Sequence, residues 1–187
     1  MNILAIEPFY SGSHKAFLKG LIEHSSHKII PIKLNYKGWK WRMHGDSVTL
    51  AQLTNQVEED IDLLMVSSMT NLPAFIALTN PRFSNTPKIM YMHDNQFTRP
   101  IPEGETRDLT FCYINYLSML VADKLVFTSQ FHIDDLMEAL PKFLAMIGNL
   151  IIRTLALNLA LYFATSFATS YGTNYIAAYT IAINLWF

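Results

Sequence analysis

The sequence predicts an α/β fold: a parallel sheet covered on both faces by helices, followed by a hydrophobic helical hairpin. Three observations predict it. Short apolar runs alternate with amphipathic stretches through the first 142 residues. Those runs are mostly continuous, as in strands buried on both faces. Charge then stops: of 29 charged residues, 28 lie at or before Lys142, and only Arg153 follows.

The elements follow in order. Asn2–Ile6 is a strand closed by Glu7-Pro8. Ser13 is placed to cap a helix through about Glu23, with Phe17, Leu18, Leu21 and Ile22 on one face. Lys28–Leu34 is the second strand, and Asn35–Asp46 reads as a polar, aromatic loop. Ser47–Val57 carries helical spacing, and Ile61–Ser67 is the third strand. Asn71–Leu78 is a short helix with Pro73 in its first turn, where a missing N–H does least harm. Lys88–Met92 is the fourth strand, Arg107–Val121 a helix, and Lys124–Thr128 the fifth strand. Ser129 is placed to cap a last helix through about Leu140.

The 187 residues carry a net charge of −1, which argues against a strongly electrostatic nucleic-acid binder but leaves room for a local basic patch. One cysteine, Cys112, excludes an intrachain disulfide framework. It lies amid Phe111, Tyr113 and Ile114 and reads as core. The apolar start at Met1–Ile6 meets Glu7 and Pro8, so it is no secretory signal.

In parallel sheets, ligands bind at the carboxyl ends of strands. The segments placed there are Glu7–His14, Asn35–Gly45, Ser67–Asn71, His93–Gln96 and Thr128–His132, all rich in polar or aromatic residues. The first runs into a helix N-terminus. Gly12 allows a tight turn, and Ser11 and Ser13 add donors, so it reads either as a phosphate cradle or as an ordinary capped loop. In Lys37–Gly45, Trp39 and Trp41 alternate with Lys37, Lys40 and Arg42. Aromatic faces stack on bases while cations pair with phosphates, which is the logic of unpaired nucleic-acid recognition. The alternative is an aromatic loop packed on the surface. His93 and Asp94 form a candidate acid/base or orienting pair. Asn95 and Gln96 both donate and accept, as sugar hydroxyls require.

Five blocks in order resemble a known family. They are Glu7-Pro-Phe-Tyr-Ser-Gly-Ser-His-Lys15, Trp39-Lys-Trp-Arg-Met-His-Gly45, Ser67-Ser-Met69 with Asn71-Leu72, His93-Asp-Asn-Gln96, and Val121-Ala-Asp-Lys-Leu-Val-Phe127. Together they are similar to the amino-terminal domain of the tRNA-queuosine alpha-mannosyltransferases, over nearly all of residues 1–144. The resemblance implies the Rossmann-like amino-terminal domain of a two-domain, GT-B glycosyltransferase. Such an enzyme transfers mannose from GDP-mannose to queuosine in the tRNA anticodon loop, with retention. It implies no metal and no cofactor beyond the GDP-mannose donor. Glu7, His93 and Asp94 become the candidate catalytic residues. Trp39, Trp41 and Arg42 would grip the anticodon loop. Gly12 and His14 would approach donor phosphates or acceptor hydroxyl, and Asn95 would line the cleft. Ser13, His44, Asn71 and Gln96 fall in the same blocks and complete the candidate substrate-binding set. The family typically has Glu after the histidine where this chain has Asp94, one methylene shorter. The second domain, which would hold GDP-mannose, is expected to be absent, so little transfer is expected from this chain alone.

Residues 145–187 read as a separate piece, with a junction near Phe143–Gly148. Thr154–Phe187 is 34 residues without charge, 23 of them apolar. Ala145–Tyr171 exceeds the about 20 apolar residues that span a bilayer. After Gly172, Tyr175–Phe187 is too short to cross and would leave the Phe187 carboxylate in lipid. Gly148–Asn158, Tyr171-Gly172 and Ile176–Ala182 resemble the middle of multidrug and toxic compound extrusion (MATE) transporters. That resemblance implies a transporter fragment joined to a cytoplasmic head, with membrane association through the tail and Lys142 and Arg153 on the cytoplasmic side.

Overall fold

The computed structural model describes residues 1–35 and 37–186, with side chains through Ala182. Tyr36, in the polar loop expected at Asn35–Asp46, and Phe187, the expected end of the tail, lie outside the described residues. The first compact unit is Met1–Ala139, and a second begins at Leu140.

The elements are β1 (Asn2–Glu7), α1 (Gly12–His24), β2 (Lys28–Lys33), α2 (Trp39–Asn55), β3 (Leu63–Ser67), α3 (Leu72–Leu78), α4 (Pro81–Ser84), β4 (Lys88–Met92), α5 (Leu109–Val121), β5 (Lys124–Phe127), α6 (Gln130–Ser170) and α7 (Thr173–Trp186). The five strands form one sheet in the order β2-β1-β3-β4-β5, and every pairing is parallel. The chain builds outward from β1 to β2, then crosses to β3 on the other side of β1. The β1–β3 boundary is therefore the switch point, where a crevice opens at the carboxyl ends. The central strands carry the core, with Leu4, Ala5, Ile6, Leu64, Val66, Met90 and Met92 buried.

Helix starts are set by side chains that satisfy free backbone N–H groups. Asn71 Oδ1 accepts from the Ala74 N–H, and Asp108 from the Thr110 N–H. Ser129 Oγ accepts from the His132 N–H, as expected of a cap for α6. Helix α1 starts at Gly12, with Ser11 rather than Ser13 at the cap position. Gly12 has φ +49°, a conformation that side chains rarely adopt, although nothing would crowd a Cβ there.

Two expectations are corrected. Residues 39–46 are the first two turns of α2, not a loop. The buried side of α2 runs through Met43, Asp46, Ser47, Leu50, Ala51 and Thr54, a helical spacing that polar Asp46 and Ser47 interrupt in the sequence. The last helix also does not stop near Leu140. α6 is continuous to Ser170 with Pro141 inside it, where one backbone hydrogen bond is absent.

At the amino ends of the strands, Lys88 is buried yet satisfied. Its Nζ donates to the Ser84 and Thr86 carbonyls, and its N–H donates to Asp123 Oδ2. In the second unit, Leu150, Ile151, Ile152, Leu155, Phe163 and Phe167 are exposed on α6. α6 is the one helix among the described residues long and apolar enough to cross a membrane, by length and composition.

Candidate active site at the strand ends

The switch point gathers four polar residues. Glu7 ends β1 and Ser67 ends β3, and the pairing of Ile6 with Val66 sets them side by side. His14 comes from the first turns of α1, and His93 follows β4. Glu7 Oε1 accepts from the Phe9 N–H at 2.8 Å, which folds the loop back on the strand end. Glu7 Oε2 lies 3.0 Å from His14 Nδ1 and 3.8 Å from His93 Nε2. Ser67 Oγ lies 3.4 Å from His14 Nδ1. An ionised carboxylate only accepts, so that pairing puts the hydrogen of His14 on Nδ1 and leaves Nε2 basic.

The two imidazoles stack at 3.8 Å with planes 27° apart. Aromatic rings enclose them: Phe9 meets His14 edge-on, and Phe17 and Tyr91 meet His93 edge-on. Phe17 and Tyr91 are themselves stacked at 4.0 Å. Burial pushes the His93 pKa down to about 3, and the His14 ring stacked on it adds to the effect. His93 is thus a neutral imidazole near pH 7, able to donate from one nitrogen and accept at the other.

Glu7, His14 and His93 each place one possible metal ligand within 4.8 Å of the others. The stack argues for a hydrogen-bonded network instead. A ring nitrogen binds a metal in the plane of its ring, and two nearly parallel rings do not share an in-plane position close to both. One ring must turn before a single ion meets both nitrogens.

The other predicted residues separate. Asp94 is not paired with His93; its Oδ1 accepts from Ser68 Oγ at 3.2 Å. His93 and Asp94, as successive residues, serve different surroundings. Asn95 is buried, and its Oδ1 accepts from the Phe97 and Thr98 N–H groups and the Thr98 hydroxyl, which fixes a turn. Gln96 is also buried, and its carbonyl accepts from Arg107. Asn71 is a helix cap, and its carbonyl accepts from Ser47 Oγ. Gly12 and Ser13 lie in the first turn of α1, with Ser13 exposed.

The two tryptophans do not act together. On a helix, residues two apart do not face each other. Trp39 packs against the cluster of Met43, Met69, Phe111 and Ile114, with the Arg99 guanidinium 4.1 Å from its ring centre. Trp41 is 83% exposed. Arg42 Nε donates to the Lys37 carbonyl, and exposed His44 lies near Phe111. Replacing Trp39 with Ala is expected to cost about 2–3 kcal/mol, since half-buried aromatic packing is lost. Replacing Trp41 with Ala changes stability by less than about 0.5 kcal/mol. Urea unfolding of the two variants checks the contrast; equal losses would contradict it.

Ser67, Phe9, Phe17 and Tyr91 are site residues that sequence reasoning did not select. For Ser67 and Phe9 the signal was present, because both lie in the strand-end segments. Phe17 and Tyr91 were hidden as ordinary apolar positions of a helix and a strand. Cys112 is buried, as expected of a core residue, and burial raises its thiol pKa.

A doubly wound parallel sheet with a buried Glu–His–His cluster at its switch point defines an α/β domain whose candidate site lies at the strand ends. The chain belongs to the tRNA-queuosine alpha-mannosyltransferase N-terminal family, whose profile matches residues 2–161. The tRNA-queuosine alpha-mannosyltransferase of Drosophila melanogaster is 36% identical over 146 residues, which is 78% of this chain and 38% of that protein. The chain thus spans about two fifths of the length of that relative. The family match also runs past Lys142, where charge all but stops, and takes in the start of the apolar stretch.

Proposed function

We propose that this domain is the acceptor-binding half of a glycosyltransferase that moves mannose from GDP-mannose onto queuosine in tRNA. The observation that carries the reading is the Glu7–His14–His93 cluster, buried at the switch point of a domain of this family. In the proposed reaction the acceptor hydroxyl oxygen bonds to the anomeric carbon of mannose, and its proton passes to His14 Nε2. The bond from mannose to the GDP phosphate breaks, and GDP leaves. Glu7 holds the His14 ring in place. Neutral His93 hydrogen-bonds hydroxyls without adding charge. No metal enters the scheme. Binding and preorganising the donor is assigned to the part of the relative outside the matched region.

A gel-shift comparison of queuosine-containing and queuosine-lacking tRNA tests the reading with this chain. Tighter binding of the queuosine form is expected. Trp41→Ala and Arg42→Ala are each expected to weaken it about tenfold, the worth of one stacking or phosphate contact. Equal binding of the two tRNAs would sink the acceptor assignment. Robust GDP-mannose turnover by the purified chain would overturn the half-enzyme part.

A second reading concerns the tail, where α6 exposes an almost uncharged apolar surface of membrane-spanning length. That surface suits insertion in a bilayer, with the head on the cytoplasmic side. Retention in the membrane pellet after carbonate extraction is the expected result, and release into the supernatant the contrary one.

A further inference from the structure

Helix α5 gives no side chain to the Glu7–His14–His93 cluster, yet two of its polar residues reach the loops that carry it. The buried side of α5 holds Asn115 and Ser118 among Phe111, Cys112, Ile114 and Met119. Both polar residues are wholly buried, at 0% exposure. A polar side chain on the apolar side of a helix is costly unless its hydrogen bonds are made.

Asn115 holds two loops at once. Its Nδ2 donates to the Ser68 carbonyl at 3.1 Å, and its Oδ1 accepts from the Gln96 N–H at 3.3 Å. Ser68 follows Ser67, whose Oγ lies 3.4 Å from His14 Nδ1. Gln96 lies in the loop that His93 opens. The Gln96 carbonyl is held by α5 and its approach as well, through the Cys112 thiol and the Arg107 guanidinium, which both donate to it. Asn115 thus ties a fixed point of the loop after β4 to the loop after β3. Other links between these loops are weaker: half-buried Ser68 Oγ donates to Asp94, and Gln96 Nε2 meets the Met69 sulfur at 3.8 Å. Ser118 has only half of this role. Its Oγ accepts from the Leu72 N–H and donates to the Thr70 carbonyl, both in the stretch after β3.

We propose that Asn115 is a positioning residue: its amide sets the spacing between the loops after β3 and β4, and so the stacking of His93 on His14. The task suits an amide. One end must donate to a carbonyl and the other must accept from an N–H, and an amide does both without charge. A carboxylate lacks the donor, and an aliphatic side chain leaves two buried backbone groups unpaired. Asn115 acts through His93 and touches no substrate in the proposed reaction. Only that consequence rests on the glycosyltransferase reading; the spacing itself belongs to the free domain.

The test compares Asn115→Ala with Ser118→Ala in the full chain, by calorimetry and by NMR titration of the histidine rings. Each substitution removes a buried side chain that pairs two backbone groups, so both lower the melting temperature. Only Asn115→Ala should move His93. In the parent, this ring stacks on His14 at 3.8 Å, faces the Glu7 carboxylate and stays neutral down to about pH 3. Once the loops can part, water reaches the ring and its pKa rises from about 3 toward 6.5. Its ring protons then titrate between about pH 5 and 8, as those of an exposed histidine do. Magnetisation transfer between the His14 and His93 ring protons weakens at the same time. Asn115→Ser keeps a hydroxyl and opens a smaller cavity, so it should shift His93 less, and it decides the matter if Asn115→Ala does not fold. A stacked, untitrated His93 in a folded Asn115 variant would overturn the proposal, and so would an equal shift in Ser118→Ala. Equal binding of the two tRNAs by the unsubstituted chain would remove the acceptor reading and leave this spacing role standing.

Discussion

An Asp46→Asn protein unfolds at a higher temperature than the parent at pH 8 and at the same temperature at pH 4. Asp46 is 3% exposed, on the buried side of α2. Ser47 Oγ, whose hydrogen goes to the Asn71 carbonyl, lies 3.2 Å from its Oδ1, while Oδ2 has no partner among the described residues. Burial raises its pKa from 3.8 to about 7, against the smaller lowering effects of the Ser47 hydrogen bonds and Arg42. The folded chain therefore keeps this proton where the unfolded chain has lost it. The associated stability is complete below about 3.8 and is lost as pH climbs through 7. Asparagine is always neutral, so its advantage grows over the same window. It is expected to reach about 2 kcal/mol at pH 8, or about 4–8 °C in melting temperature. Calorimetry at the two pH values checks it. A gain of equal size at both would show that packing, not ionisation, is at work.

Glu7→Ala is expected to destabilise the domain by about 2–3 kcal/mol and to change the tautomer of His14. The carboxylate accepts from the Phe9 N–H and pairs with His14 Nδ1, and both partners are left inside the protein when it is removed. Leaving buried donors unpaired costs more than the hydrogen bonds themselves contribute. Nitrogen-15 shifts of the His14 ring report the second effect. The parent should show the hydrogen on Nδ1, and the variant a population with it on Nε2. Glu7→Gln keeps an acceptor oxygen and should lose less stability. A Glu7→Ala protein as stable as the parent, with an unchanged His14 spectrum, would mean that Glu7 does not orient the ring.

Much of this cluster is legible in the sequence. Continuous apolar strands made the sheet parallel, and a parallel sheet directs attention to its carboxyl ends. Glu7, His14, Ser67 and His93 all lie in the segments selected that way. Local pattern could not say which neighbours would meet. Asp94 follows His93 in sequence, yet its partner is Ser68, while His93 finds His14 from another element. Such pairings are decided by strand order. Trp39 and Trp41 looked alike in a supposed loop, and the helix then turned one inward and left the other in water. Asp46 was hidden because a buried carboxylate breaks the apolar pattern by which a helix face is found. Charge all but stops after Lys142, and the family match runs on to residue 161, into the apolar stretch.

The parts of the strand-end cluster differ greatly in chain distance. Glu7 and His14 are seven residues apart, whereas Ser67 lies 53 residues from His14 and His93 lies farther still. Closing the first loop is cheap in entropy, and closing the others waits for two crossovers. The carboxylate–imidazole pair can therefore form with the first strand and helix alone. The second ring arrives only when β4 has docked. During folding, the site passes from a polar pair open to water to a dry stacked cluster in the step that completes the sheet. A ring-current shift on His93 protons would mark that step and distinguish finished molecules from those stalled before it.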